Sequence, residues 1–94
     1  MKLGFEWDDE KAKANFKKRR VGFDEAATVF TDAFSVTITD PGHSAEEQRY
    51  VDIGNSDKGR VLVVVYTERG SNIRIISCRR ATLSEQTLYE EGNE

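Results

Sequence analysis

The chain has 94 residues, 37% hydrophobic and 33% charged, with a net charge of −3, which suits one domain over 1–94 and leaves little room for a second core. A single cysteine, Cys78, and a single histidine, His43, exclude an internal disulfide and a Cys/His zinc site, and no metal or other cofactor is expected. The longest apolar run, Val61–Tyr66, is far too short to span a membrane, and "MKLGFEWDDE" lacks a secretory apolar core, so a cytoplasmic protein without membrane contact is expected.

The first predicted element is a helix in "WDDEKAKANFKKRR". Asp8 or Asp9 supplies the N-cap, and acids first with bases last complement the helix dipole. Trp7, Ala12 and Phe16 mark its apolar stripe. A second helix is predicted in "VGFDEAATVFTDA", where Phe23, Ala26, Ala27 and Phe30 recur at helical spacing, and Gly22 separates the two. The period then changes to two. "FSVTIT" alternates as a half-buried strand, and "DPGHSAEE" is a turn and loop. "QRYVDIG" is the second strand, "SDKG" at 56–59 a hairpin turn, and "RVLVVVYTE", apolar on both faces, a central strand. "RGSN" turns the chain into "IRIISCR". "ATLSEQTLYEEG" closes as a helix, with Thr82 and Glu85 in capping-box spacing and Leu88 facing inward. The expected fold is α+β, ordered α-α-β-β-β-β-α, with helices against a four-stranded antiparallel sheet.

Charge is segregated along this order. Residues 11–20 carry six basic residues and no acid, and the stretch Lys58 to Arg80 carries six bases against Glu68 alone. A mildly acidic chain can therefore present a basic face to a polyanion. By strict alternation, Ile73, Ile75, Ser77 and Arg79 share one face of the last strand, and Arg74, Ile76, Cys78 and Arg80 the other. In an antiparallel hairpin Arg69 falls nearer Arg74 than Arg79, unless strong curvature brings all three to one groove. Arginine is shaped to grip phosphate through paired donors and stays charged, so it suits phosphate binding or stabilisation of a phosphorane. The plainer alternative is ion pairing with Glu46, Glu47, Asp52 or Glu68, or a tie from Arg79 to an acid such as Glu85. Cys78 reads as a small core residue, and Tyr66 as a packing residue.

Quoted in order, "FEWDDEKAKANFKK", "VGFDEAATVFTD", "DPGHSAEEQRY", "LVVVYTER", "IRIISCRRAT" and "EQTLYE" resemble the BrnT family over about residues 5–90. The resemblance implies a RelE-like fold and a metal-independent ribonuclease toxin of a bacterial type II toxin–antitoxin pair that inhibits translation. It implies an RNA substrate and a BrnA-like antitoxin, with operator DNA reached only through that antitoxin. It also implies assembly as a homodimer or as a heterotetramer with the antitoxin. Family members carry Lys-His-Gly-Val where this chain has Lys18-Arg19-Arg20-Val21.

The arginines of the family's T-E-R and S-x-R motifs are kept as Arg69 and Arg79, which the resemblance makes the catalytic positions. Lys18, Arg19, Arg74 and Arg80 are the RNA-binding candidates. His43 and Tyr89 are the acid/base candidates, with Lys18 a further one. Arg19 in place of the histidine supports a second reading, a catalytically degenerate module that still binds RNA or antitoxin.

Overall fold

The computed structural model describes residues 4–40 and 48–92. In chain order the elements are β1 (Gly4–Glu6), α1 (Asp9–Arg19), α2 (Phe23–Thr28), a 3-10 helix (Val29–Thr31), β2 (Val36–Asp40), β3 (Arg49–Asn55), β4 (Val61–Arg69), β5 (Asn72–Arg80) and α3 (Leu83–Glu91). The five strands form one sheet in the order β1-β5-β4-β3-β2, with β4 at its centre.

Strands β2 to β5 are the expected antiparallel meander. The expectation of a four-stranded antiparallel sheet is corrected by β1, which pairs parallel with β5 through Gly4 opposite Asn72 and Glu6 opposite Arg74. The sheet is therefore five-stranded and mixed, and the RelE-like outline is not matched in detail. Three residues carry no detectable period, so only tertiary pairing makes β1 a strand.

Asp8 caps α1, accepting the Glu10 and Lys11 N–H groups at 2.9 and 3.1 Å. The helix ends at Arg20, whose backbone is left-handed at φ 61°. The second predicted helix is shorter than its apolar period suggested, because the chain tightens into the 3-10 helix after Thr28. The β3–β4 and β4–β5 turns use left-handed glycines, Gly59 at φ 74° and Gly70 at φ 59°.

Phe23, Ala26 and Val29 pack with Val21 onto Leu62, Val64, Tyr66, Ile73, Ile75 and Cys78, making the main core on one face of the sheet. Buried Glu25 anchors α2 to the β3–β4 turn. It accepts from Ser56 Oγ at 2.7 Å and from Arg60 Nε at 3.0 Å, and it also pairs with Arg60 Nη2.

The alternation expected in β5 fails at one point. Val65 pairs with Ser77 and Tyr66 with Ile75, so Ile76 is an extra residue, a β-bulge. Its consequence is a change of face. Ile73, Ile75 and Cys78 point together into the core, while Ser77 and Arg79 turn to the second face, beside Val63 and Val65. That second face is crossed by α3. Its Glu85 meets Arg79, and a Cβ placed on Gly92 would lie 3.1 Å from Val36 at the far side. Leu88, expected to face inward, is 42% exposed.

Candidate functional site

The second face of β5 carries a cavity of about 330 Å3, floored by Val51, Val63 and Val65 and walled by Asn15, Arg19, Ser77, Arg79 and Glu85. Its polar groups arrive from three elements. Arg79 stands at the end of β5, on this face because of the Ile76 bulge. Glu85 comes from the first turn of α3, whose start is set by the Thr82 capping box. Asn15 and Arg19, four residues apart on α1, reach in past the β5 edge that short β1 leaves unpaired.

Arg79 and Glu85 form a parallel two-bond fork: Nη1 donates to Oε1 and Nη2 to Oε2, both at 2.7 Å. Glu85 Oε1 also accepts the Thr82 N–H at 2.8 Å, closing the capping box. The Arg79 hydrogen bonds, ahead of the opposing effect of burial, hold the Glu85 carboxyl at a pKa of about 2. A third Arg79 contact, from Nη1 to the Arg80 carbonyl, is 3.4 Å. Of the five guanidinium hydrogens, the Nε–H and one on Nη2 thus have no partner among the described residues and are available to an anion.

Arg19 supplies a second guanidinium and, among the described residues, forms no ion pair, Glu85 being held by Arg79. Lys18 lies beside the cavity, in a neighbouring depression of about 290 Å3 that shares Asn15, Arg19 and Ser77 with it. The group is cationic over a hydrocarbon floor, and its carboxylate is committed to orienting Arg79. Such an arrangement has the chemistry to hold a phosphodiester and to stabilise added charge on it.

The other candidates are placed elsewhere. Arg69 pairs with Asn72 at the opposite end of the hairpin from Arg79, which faces Val63. Six residues of strand separate those ends, roughly 20 Å, so Arg69 and Arg79 do not share a groove. Arg74 contacts Glu6 at 3.4 Å on the β1 side. Arg80 is exposed opposite Leu62, on the other face. Tyr89 donates to Asp32 Oδ2 at 2.7 Å, which pushes the phenol up to about 12. His43, Glu46 and Glu47 lie outside the described residues.

Site members not singled out from the sequence are Asn15 and Ser77. The Asn15–Arg19 spacing was visible as one helix face, but what that face meets was not. Among the described residues no three His, Cys, Asp or Glu side chains gather to hold a metal ion, and no helix is long and apolar enough to cross a membrane.

A family model described as "Ribonuclease toxin, BrnT, of type II toxin-antitoxin system" matches residues 7–85. Among solved structures, the chain is similar to the Brucella abortus ribonuclease toxin BrnT, with a TM-score of 0.63 at 21% identity over 86% of this chain and 99% of that one. At that identity the likeness is one of fold. No curated protein matches.

Proposed function

The chain belongs to the BrnT family of ribonuclease toxins of type II toxin–antitoxin systems, and from that premise we propose that it is a metal-independent endoribonuclease whose site is the Arg19–Arg79 cavity. The convergence of these two arginines, sixty positions apart in sequence, over one valine floor carries the proposal. In the reaction the ribose 2′-oxygen attacks the adjacent phosphorus. The bond from phosphorus to the 5′-oxygen breaks, leaving a 2′,3′-cyclic phosphate and a 5′-hydroxyl. Arg79 and Arg19 hold the non-bridging oxygens and stabilise the phosphorane. Glu85 is a positioning residue, because a carboxyl held near 2 is too weak a base for work at neutral pH. Lys18 is the described proton-transfer candidate nearest the cavity.

The wider reading is a toxin of the bacterial cytoplasm that lowers translation by cutting RNA. A BrnA-like antitoxin neutralises it, in a heterotetramer that meets operator DNA through the antitoxin. Helices before an antiparallel meander and one helix after it support a RelE-like scaffold, here with an added edge strand.

Incubating the purified protein with RNA in excess chelator tests the activity. New ends bearing 2′,3′-cyclic phosphate are expected, and intact RNA would refute it. One observation favours the degenerate binding module: Arg19 cannot shuttle protons as the histidine expected there would. That reading forecasts salt-sensitive RNA or antitoxin binding without any cut ends.

A further inference from the structure

A second, larger cavity of about 550 Å3 opens on the opposite side of α1, floored by Trp7, Phe16 and Phe23 and rimmed by Lys13, Lys17 and Arg20. The floor is aromatic, with Phe23 buried beneath a partly exposed Trp7 and an accessible Phe16. Trp7 and Phe23 meet edge to face at 6.0 Å, and Phe16 is 51% exposed although its helix has a core to cover. The rim is cationic. Lys13 has only a long, exposed contact with Glu10 at 4.0 Å, and Lys17 and Arg20 face no ion-pair partner among the described residues. Asp24 is the one acid in the lining, against three bases.

Arg20 adds an independent observation. It sits at the C-cap of α1 with φ 61°, the left-handed conformation that glycine adopts freely and a side chain adopts at a cost. A strained residue whose side chain borders an open aromatic cavity points to a role for that side chain.

We propose that this cavity is a nucleobase-stacking subsite for single-stranded RNA, in which a base stacks on Phe16 and Trp7 while Lys13, Lys17 and Arg20 hold the flanking phosphates. The inference rests on the ribonuclease reading and deepens it. Helix α1 carries Asn15 and Arg19 toward the Arg19–Arg79 cavity on one side and this rim on the other. Lys11 and Lys18, in the depression that adjoins the first cavity, extend the cationic surface along the helix. A strand wrapping the helix, about 10 Å across, passes Lys11, Lys18 and Lys17 between the two. Aromatic faces interleaved with cations bind single strands with little sequence preference. A protein segment would use the aromatic floor equally well, but it would not need that cationic path to the second cavity.

Trp7 is the only tryptophan, so its fluorescence reports occupancy directly. The probe is a short single-stranded deoxyribonucleotide oligomer, which lacks the 2′-hydroxyl and survives the reaction. Saturable quenching that weakens with salt is expected. Phe16→Ala and Arg20→Gly should each weaken the affinity about tenfold. Arg20→Gly should also raise Tm, since it relieves the left-handed strain, so loss of binding cannot be ascribed to unfolding. Absence of quenching, or quenching indifferent to both substitutions, would overturn the subsite. Quenching by an acidic aromatic peptide but not by the oligomer would assign the cavity to a protein partner and likewise overturn it. RNA cleavage by the unaltered protein is measured alongside. Cleavage without quenching sinks the subsite alone, and quenching without cleavage sinks the ribonuclease reading while the subsite stands.

Discussion

Asn15 on α1 hydrogen-bonds both backbone groups of Cys78 on β5, accepting the Cys78 N–H at 3.2 Å through Oδ1 and donating Nδ2–H to the Cys78 carbonyl at 3.0 Å. The same amide donates to the Val21 carbonyl at 3.1 Å. Strand β1 covers only Asn72 to Arg74 of β5, so the second half of that edge would otherwise be bare. One side chain replaces a strand there and fixes where α1, and hence Arg19, sits against the sheet.

Replacing Asn15 by Ala leaves a part-buried N–H and carbonyl unpaired, and stability should fall by about 2–3 kcal/mol. Asn15→Asp keeps the acceptor and loses the donor, so it should restore part of that loss at most. Urea unfolding checks both. Activity should drop beyond the loss of folded protein, because Arg19 loses its anchor. A fully active Asn15→Ala protein would show that Arg19 needs no such placement.

The boundary between legible and hidden features runs through β5. Its existence, its turn at Gly70 and its place beside β4 follow from composition and period alone. The faces of its arginines do not, because alternation counted through "IRIISCRR" assumes no bulge, and the extra residue at Ile76 reverses every assignment after it. The Thr82–Glu85 capping box was readable from spacing. The Arg79–Glu85 pair was foreseeable as an ion pair between a strand end and a helix start. The approach of Arg19 to the same cavity needs α1 and β5 to close on each other, which no local pattern encodes. The glycine that the resemblance expects at Arg20 falls on the left-handed cap, where its absence has a conformational cost.

Deleting Ile76 tests the bulge directly. Removal puts residue 77 directly after 75, so simple alternation then keeps Cys78 in the core and Arg79 on the second face. In the intact protein Cys78 is 2% exposed, and burial raises its thiol to about 11, so it should resist a thiol reagent at neutral pH. The deletion variant should therefore stay protected and keep Arg79 at the cavity. A thiol that becomes reactive would mean that the faces after residue 75 had reversed and that Ile76 is not the extra residue.

Acid should unfold the protein in a defined window. Glu85 has its carboxyl lowered from 4.5 to about 2, first by Arg79. Buried Glu25 is lowered too, first by Arg60. A depressed folded-state pKa contributes stability that is present above the ordinary value and lost as pH falls through the folded value. Tm should therefore decline between about pH 4.5 and 2. Glu85→Gln should flatten only part of that decline, on the order of 1 kcal/mol, since solvent reaches the pair. Asp52 has the opposite sign. Burial raises its pKa despite hydrogen bonds from Thr37 and Tyr66, so its ionisation costs stability as pH rises. Asp52→Asn should accordingly raise Tm at neutral pH and lose that advantage in acid. A Tm profile flat from pH 5 to about 2 would contradict the first assignment, and a lower neutral Tm for Asp52→Asn the second.

Arg79 separates a structural role from a catalytic one. Its fork to Glu85 ties the end of β5 to the start of α3, so Arg79→Ala should cost roughly 1 kcal/mol, the upper part of the range for an exposed pair of good geometry. A purely structural arginine would lower activity only in proportion to the folded fraction, which changes negligibly for a loss of that size. An arginine that holds the phosphorane through its Nε–H and remaining Nη2–H should instead cost about 10²–10³ in rate when removed. Arg79→Lys sharpens the contrast. Lysine keeps a charge near Glu85 and should recover most of the stability, yet it cannot face the carboxylate and a phosphate at once with a planar fork, so the rate should stay low. Glu85→Gln keeps a neutral partner at the cap and loosens the fork, and its rate should fall less than that of Arg79→Ala. The measurements are Tm by circular dichroism and the single-turnover rate of RNA cleavage on each variant. A folded Arg79→Ala protein that cleaves RNA at the unaltered rate would remove Arg79 from the site and leave it as the buckle between β5 and α3.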